Sequence, residues 1–528
     1  MPGPFSTLRE VLRDNATKNP RSLALWFKDD RFTYAEFQGH VHRAANALLG
    51  LGIAKGEKIG LLLPNCPEFL FSVFATAETG AVFVPVNTAS TAEEAQYVLQ
   101  HSEAATLVTA PEHLALVDSI RDRLPRLERV IVAGEVDRPG SMSWERFLHG
   151  AGDEAPGMPV SPDELASITY TSGTTDRPKG VMLSQYAYAF APRKRAEALG
   201  WTGKDRVFVL LPLFHVNALC HMAIGMLSVG GSVVLAERFS ASRFWDEVRA
   251  HEVTTSSLMR TIPQILLSLP EKPDDGDNPL RLAVALLAPE VHLRFEERFN
   301  LTAVPSYSLT EDILSVIGPL EKSGRKLGSC GVPIAPEEHG LRIADEDGEP
   351  LPPGRVGEIV KRSPAVMQGY FKNPQATAQA LKEGWLYTGD LGYVDDDGFL
   401  FFVDRKKDMV RRGDENISSE EVERVLNSHP LIAESAVVGV ADEIRGEEIK
   451  AYVVLKPPAT ADTVPPERIW AFCGEHLAPF KVPRFLEYRS ELPKTPSSKI
   501  QKNVLREPAG KFTGAAPVFD RLARPGRS

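Results

Sequence analysis

Cysteine is scarce in this 528-residue chain. Cys66, Cys220, Cys330 and Cys473 are scattered, with neither metal-ligand spacing nor the density of a disulfide scaffold, so a reducing, cytoplasmic setting is the expectation. Runs of Lys and Arg are also missing, and the net charge of −10 with a pI near 5.8 argues against a nucleic-acid partner. The longest apolar region, 59–86, is broken by Pro64, Asn65, Pro67, Glu68, Glu78 and Pro85. It therefore reads as buried α/β structure, and no membrane span is expected. Residues 1–20 place charges among Leu8, Val11 and Leu12, the pattern of an amphipathic surface helix and not of a secretory signal.

Hydrophobic content of 43% and charged content of 25% are those of a globular protein. The length suggests two or more domains. From 21 to 160 short apolar runs (59–63, 82–86, 105–108, 129–132) alternate with helical patterns such as the proline-led 67–77. That alternation predicts parallel sheet with helical crossovers. A second set of strands is expected at 206–211, 232–235 and 280–287. Between 340 and 398 short strands and Gly/Pro turns suggest a β-rich lobe, and the chain turns strongly charged at Asp404–Lys407. Beyond it, helices at 419–427 and 466–478 and strands at 433–440 and 450–455 predict a compact α/β unit. The domains are read as 1–404 and 405–507, with a loose or partly docked tail at 508–528.

The chemistry-bearing stretch is Tyr170–Gln185. Apolar residues lead into Thr171, Ser172, Gly173, Thr174 and Thr175; Lys179 and Gly180 close the segment before another apolar run. A strand–loop–strand or strand–loop–helix of this kind offers backbone N–H groups, hydroxyls and one ammonium to a single point, which suits a polyphosphate. It is not a Walker A loop, since no Gly-Lys-Ser/Thr follows at the required distance. Read alone, it could also be an ordinary polar turn.

This stretch resembles the phosphate loop of the adenylate-forming superfamily, which comprises acyl-CoA synthetases, luciferases and peptide-synthetase adenylation domains. Tyr307-Ser308-Leu309-Thr310-Glu311 is similar to that family's aromatic-Gly-x-Thr-Glu motif, with Ser308 in place of glycine. The resemblance implies that Tyr307 packs on adenine with Ser306 beside it, that Thr310 binds the α-phosphate and that Glu311 holds Mg²⁺. Tyr387-Thr388-Gly389-Asp390 matches the ribose motif, in which one carboxylate takes both hydroxyls of a vicinal diol. Asp404-Arg405-Lys406-Lys407-Asp408 resembles the hinge, with Arg405 toward ribose or phosphates and Lys407 at the hinge position. In 493–500, Lys499 matches the lysine that neutralises charge building between acid oxygen and α-phosphate, and Ser498 replaces a glycine. His215 falls where the acid pocket is lined and is read as a gate, since an ionised acid needs no base.

The motifs stand in the family's order over nearly the whole chain. The nearest branch is that of carnitine/crotonobetaine–CoA ligase-like enzymes, through Asn373–Ala378 and Glu448–Leu455. The implied fold is α/β: a large N-terminal domain of mixed α/β subdomains plus a β-rich lobe, and a small mobile α+β C-terminal domain. The implied cofactors are ATP and Mg²⁺.

Two departures bear on the acceptor and the acid. Asp414, in Gly413-Asp414-Glu415-Asn416-Ile417, stands where relatives have a pantetheine-path glycine, and a carboxylate there adds bulk and a charge that resists desolvation. That puts CoA in doubt. Leu286 and Leu287 precede Ala288-Pro289, where the family has glycines beside the acyl group and adenine, so a small acid is expected. Two readings result: an AMP-forming acid–CoA ligase, or an adenylating enzyme whose acceptor is an amine, including a nitrite-activating diazotase. A non-catalytic nucleotide-binding relative would be expected to lack Lys499, Glu311 or Asp390, and all three are present. The oligomeric state, a homodimer included, is left open.

Overall fold

The computed structural model describes residues 5–171, 177–258, 261–412, 415–442, 445–495, 499–506 and 517–522. At the amino end Thr7 and Glu10 form a capping box that starts the helix Leu8–Lys18. Its 3.6-residue apolar period buries Leu8, Val11, Leu12, Asn15 and Ala16 on one face. Pro67 begins the helix Pro67–Thr79 at a position that needs no donor, and Gly80 ends it at φ 72°. Apart from Glu68 every residue of that helix is buried. Its Phe and Leu side chains each contribute about 1.5–3 kcal/mol of transfer free energy.

Two large sheets carry the N-terminal domain. In the first, parallel strands Lys58–Leu62, Val82–Pro85, Thr106–Thr109 and Arg129–Val132 run beside Leu165–Thr171, and Lys179–Ser184 and Gly369–Tyr370 add antiparallel strands at one edge. In the second, Thr302–Val304, Leu282–Val284, Thr255–Ser257, Arg206–Val209 and Ser232–Leu235 are parallel. The expected strand at 280–287 is shortened to Leu282–Val284, because Ala288 and Pro289 already begin a helix.

The amino-terminal strand Leu23–Phe27 joins the second sheet, although the strands that follow its hairpin in the chain build the first. It pairs in parallel with Ser232–Leu235 and closes the second sheet together with Asp30–Thr33. Nearby contacts fix it there: Asn15 donates to the Leu227 carbonyl (2.8 Å) and the Tyr34 hydroxyl to the Gly231 carbonyl (2.6 Å). The main core lies between the sheets, with Leu25, Val207 and Val233 from one and Ile59, Leu61, Phe83 and Val181 from the other.

The β-rich lobe is an antiparallel sheet of Gly340–Ala344, Gly357–Arg362, Trp385–Val394 and Leu381–Lys382, with Leu400–Arg405 on the long strand. The small C-terminal domain packs Ser419–Ser428 and Pro466–His476 against a sheet that includes Ile432–Asp442, Gly446–Leu455 and Phe485–Tyr488. The expected loose tail contributes Val518–Asp520 to this sheet, with Asp520 paired to Arg484 at 3.1 Å. We propose the domain boundary at 404–407, since Asp404 and Arg405 still pair within the lobe whereas Val410–Arg412 already pairs within the small sheet. Among the described residues no helix is long and apolar enough to cross a membrane.

Candidate active site

The phosphate-loop segment is a hairpin. Leu165–Thr171 and Lys179–Ser184 run antiparallel, Thr171 opposite Lys179 and Tyr170 opposite Gly180. This is the strand–loop–strand alternative, and it sets Thr171 and Lys179, both half-buried, at the mouth of the loop. Ser172, Gly173, Thr174 and Thr175 lie outside the described residues. Behind the hairpin the Tyr170 hydroxyl meets His101 Nδ1 at 2.7 Å.

Beside the hairpin lies a residue that the sequence reading missed. Tyr370, in the strand pairing with Val181–Met182, receives the Lys179 ammonium over its ring at 5.0 Å. Its hydroxyl donates to Glu311 Oε1 at 3.0 Å. One buried aromatic thus touches both the loop lysine and the candidate metal carboxylate. The only signal in the sequence was a Gly-Tyr pair shortly before Asn373-Pro374, with nothing local to say which partner it would meet.

The segment carrying Thr310 and Glu311 is anchored from beneath. Met367 N–H donates to the Glu311 carbonyl (2.8 Å), and the next residue, Asp312, forms a fully buried ion pair with Lys361 at 2.9 Å. Lys361 also donates to the Leu314 carbonyl, and Asp312 accepts from Ser363 and from Leu314 N–H. A buried pair of this kind is tolerable where further hydrogen bonds support it, as those to Asp312 Oδ1 and from the Lys361 ammonium do here.

Asp390 lies on the long strand of the lobe. Gly389 before it adopts φ 73°, which favours glycine. The Tyr307 hydroxyl donates to Asp390 Oδ2 (2.9 Å), and Arg405 Nε lies 3.8 Å from Oδ1. Burial raises the Asp390 carboxyl to about 6, against the opposing pull of Arg405 and the Tyr307 hydrogen bond.

Ala288 and Pro289 open the helix Pro289–Phe299, with Ala288 at its cap. The two leucines before them diverge. Leu287 is buried with Phe208, Val234 and Phe295 in the second sheet's core, while half-buried Leu286 packs on the cluster around Tyr307. The expectation that both fill the acid pocket is therefore corrected: adjacent residues of extended chain point to opposite sides, leaving Leu286 as the candidate lining.

His215 is half-buried. Burial and then the Lys499 charge hold its imidazole down to about 4, so it is neutral at pH 7. Lys499 comes from the small domain, where its N–H donates to Thr495 Oγ1 (3.1 Å) and its carbonyl accepts from Thr495 N–H (2.7 Å). Pro496, Ser497 and Ser498 lie outside the described residues. The Lys499 pKa is lowered first by the protein packed around its ammonium and then by Arg405, with Glu311 and Asp390 acting in the opposite sense. Lys499 is thus within electrostatic reach of Glu311, Asp390 and His215.

In the expected hinge segment, Asp404 Oδ2 accepts from Ser419 N–H (2.6 Å) and Ser419 Oγ (2.8 Å) at the start of the helix Ser419–Ser428. A carboxylate at a helix N-terminus is favoured by its unpaired donors and dipole. Lys502 reaches the same Ser419 hydroxyl (2.7 Å) and Glu423 (2.7 Å). Lys407, the expected hinge residue, is exposed, and its carbonyl accepts from Arg506. Asp414 lies outside the described residues.

No cluster of three or more His, Cys, Asp or Glu side chains suited to a metal occurs among the described residues. Glu311 offers a single half-exposed carboxylate. That donor set fits Mg²⁺ delivered on a polyphosphate, which keeps water and phosphate ligands, and not a caged ion.

Residues 12–371 match the AMP-binding enzyme family and residues 421–499 the AMP-binding enzyme C-terminal domain. The crotonobetaine/carnitine–CoA ligase of Salmonella paratyphi B is 36% identical over 488 residues, covering 90% of this chain and 93% of that protein. The corresponding Escherichia coli ligase is similar to the same degree. An anthranilate CoA ligase bound to anthranoyl-AMP superposes with a TM-score of 0.87 at 29% identity, covering 94% of this chain and 96% of the other. The o-succinylbenzoate CoA synthetase of Bacillus subtilis, bound to its acyl-adenylate, gives 0.83 at 30% identity over 94% and 98%. With both domains matched in order and the fold shared end to end, the chain belongs to the AMP-binding enzyme family, the adenylate-forming ligases.

Proposed function

We propose that the protein uses Mg·ATP to convert a small acid to its adenylate, releasing pyrophosphate, and then transfers the acyl group to the thiol of CoA. The observation that carries this reading is the approach of Lys499, from the small domain, to Glu311, Asp390 and His215 of the large one. In this reading Asp390 accepts the ribose hydroxyls and Tyr307 borders the adenine. Thr171, Thr310, Lys179 and the loop residues Ser172–Thr175 take the phosphates, and Arg405 lies beside the ribose. Magnesium, held by Glu311 and the phosphates, would neutralise oxygens of the leaving pyrophosphate.

An acid oxygen forms a bond to the α-phosphorus while the bond to the bridging oxygen of pyrophosphate breaks. The Lys499 ammonium stabilises charge on the attacking and α-phosphate oxygens. Neutral His215 takes no proton from an acid already ionised, which supports a gating role. Holding acid and ATP together makes the attack local, and the closed cleft keeps water from the adenylate. In the second half-reaction the thiol sulfur bonds to the acyl carbon and AMP leaves. The names of the curated relatives favour CoA as acceptor.

Asp414 supports a second reading in which an amine, or an arylamine with nitrite as the acid, replaces the thiol. One experiment separates the two. Pyrophosphate release is followed with Mg·ATP and a panel of carboxylic acids plus nitrite, with and without CoA, and products are identified by mass spectrometry. Turnover that needs CoA and yields a thioester is expected. Release indifferent to CoA, with product only on adding an amine, would overturn the first reading in favour of the second.

A further inference from the structure

Arg195 is among the largest fully buried side chains of the described residues, only 1% exposed, and no carboxylate pairs with it among them. It lies in the helix Gln185–Ala198 that follows the phosphate hairpin. Its Nη1 donates to Ser306 Oγ (2.9 Å) and Ser315 Oγ (2.7 Å), while Nε and Nη2 are buried without a partner. Its other close neighbours carry no negative charge. Cys220 is a buried thiol, and His221 is neutral, its Nε2 donating to the Ile313 carbonyl at 2.8 Å. An unpaired guanidinium in a low-dielectric interior is costly, and a counter-ion arriving with a ligand would offset that cost.

The surroundings say where that counter-ion would come from. Cys220 and His221 lie on Asn217–Ile224, a π-helix that begins two residues after His215 and packs against the Arg195 helix. Extended π-helical geometry is rare and concentrates at functional sites. Ser306 precedes Tyr307, whose hydroxyl holds Asp390. Arg195 therefore lies between the π-helix that follows His215 and the strand Ser306–Tyr307. Ser306 is half-buried, and its oxygen already accepts from Arg195, so its own proton is free to be donated outward.

We propose that Arg195, acting with the Ser306 and Ser315 hydroxyls, forms a subsite for a second carboxylate on the acid, so that the preferred substrates are short dicarboxylic acids. The inference rests on the ligase reading above and names its substrate class. A buried positive charge also disfavours betaine-type acids, whose trimethylammonium group it repels.

The test measures kcat/KM for pyrophosphate release with α,ω-dicarboxylic acids of three to eight carbons, their chain-matched monocarboxylic acids and a trimethylammonium acid. Wild-type protein is expected to prefer dicarboxylates over matched monocarboxylates by at least about tenfold, the scale of a charge-assisted hydrogen bond. Arg195→Gln should collapse that ratio chiefly through KM, and Arg195→Lys, which keeps the charge, should retain part of it. Thermal unfolding of both variants is recorded alongside. A purely structural arginine would alter stability and leave the ratio unmoved, and that result overturns the subsite. So does a wild-type preference for monocarboxylic or trimethylammonium acids. Should Arg195→Gln fail to fold, the wild-type ratio and Arg195→Lys still decide. Absence of release with every acid would instead sink the ligase reading itself.

Discussion

Replacing Tyr370 with phenylalanine removes one hydroxyl and tests whether this ring organises the Mg²⁺ site proposed at Glu311. The hydroxyl donates to Glu311 Oε1 at 3.0 Å from a side chain only 9% exposed, so bulk water is poorly placed to substitute for it. A hydrogen bond to a charged group is worth about 1.5–3 kcal/mol, and loss of a partner that orients a metal ligand costs about 10–100-fold in metal affinity. Tyr370→Phe should therefore raise the Mg²⁺ concentration for half-maximal pyrophosphate release by about tenfold, with the Lys179 contact over the ring intact. Tyr370→Leu removes that contact as well, at a further cost of about 0.5–1 kcal/mol, read as a higher KM for ATP. The assay titrates MgCl₂ at saturating ATP and acid, with thermal unfolding as a fold control. Unchanged Mg²⁺ half-saturation in a well-folded Tyr370→Phe would refute the reasoning, as would two variants behaving identically.

Lys499→Ala should abolish adenylate formation while ATP binding by calorimetry persists; near-normal pyrophosphate release would remove its assigned role. Asp414→Gly should raise thioester output if the carboxylate obstructs the pantetheine arm, and an unchanged CoA-dependent rate would dismiss that idea. The raised Asp390 carboxyl sets a pH dependence. Its ionised form, which the proposed contact to ribose needs, is present above about 6 and is lost as pH falls through that value. kcat/KM for ATP should decline below pH 6 about tenfold per unit, and Asp390→Asn should flatten the profile at a low level. A wild-type profile flat down to pH 5 would contradict this.

Short-range chemistry made much of the fold and site legible. Proline and glycine punctuated the helix Pro67–Thr79, apolar runs marked the parallel strands, and the clustered Gly, Ser, Thr and Lys of 171–180 announced a loop for phosphates. Features that depend on distant partners were hidden. Tyr370 reaches Lys179 only because its strand adds to a hairpin about 190 residues upstream, a pairing that no local pattern encodes. Arg195 carries a charge on a helix and so reads as a solvated face; its burial is decided by Ser306 and Ser315 from another element. Leu286 and Leu287 are indistinguishable as letters, yet extended backbone sends them into different cores.

The placement of Leu23–Phe27 has a consequence for biosynthesis. Its parallel partner, Ser232–Leu235, emerges from the ribosome about 200 residues later, a wait of about 10–40 s at about 5–20 residues per second. The hydrogen-bonding partners of Asn15 and Tyr34, at Leu227 and Gly231, are equally late. During that interval the nascent amino-terminal hairpin presents Leu25, Trp26 and Phe27 without their sheet, an opening for a chaperone or for aggregation. Stalled chains with only the first 225 residues outside the exit tunnel should be cut by protease within 8–33, and chains with 1–260 outside should resist. Equal protection at both lengths would show that the helices secure this segment without the strand it eventually joins.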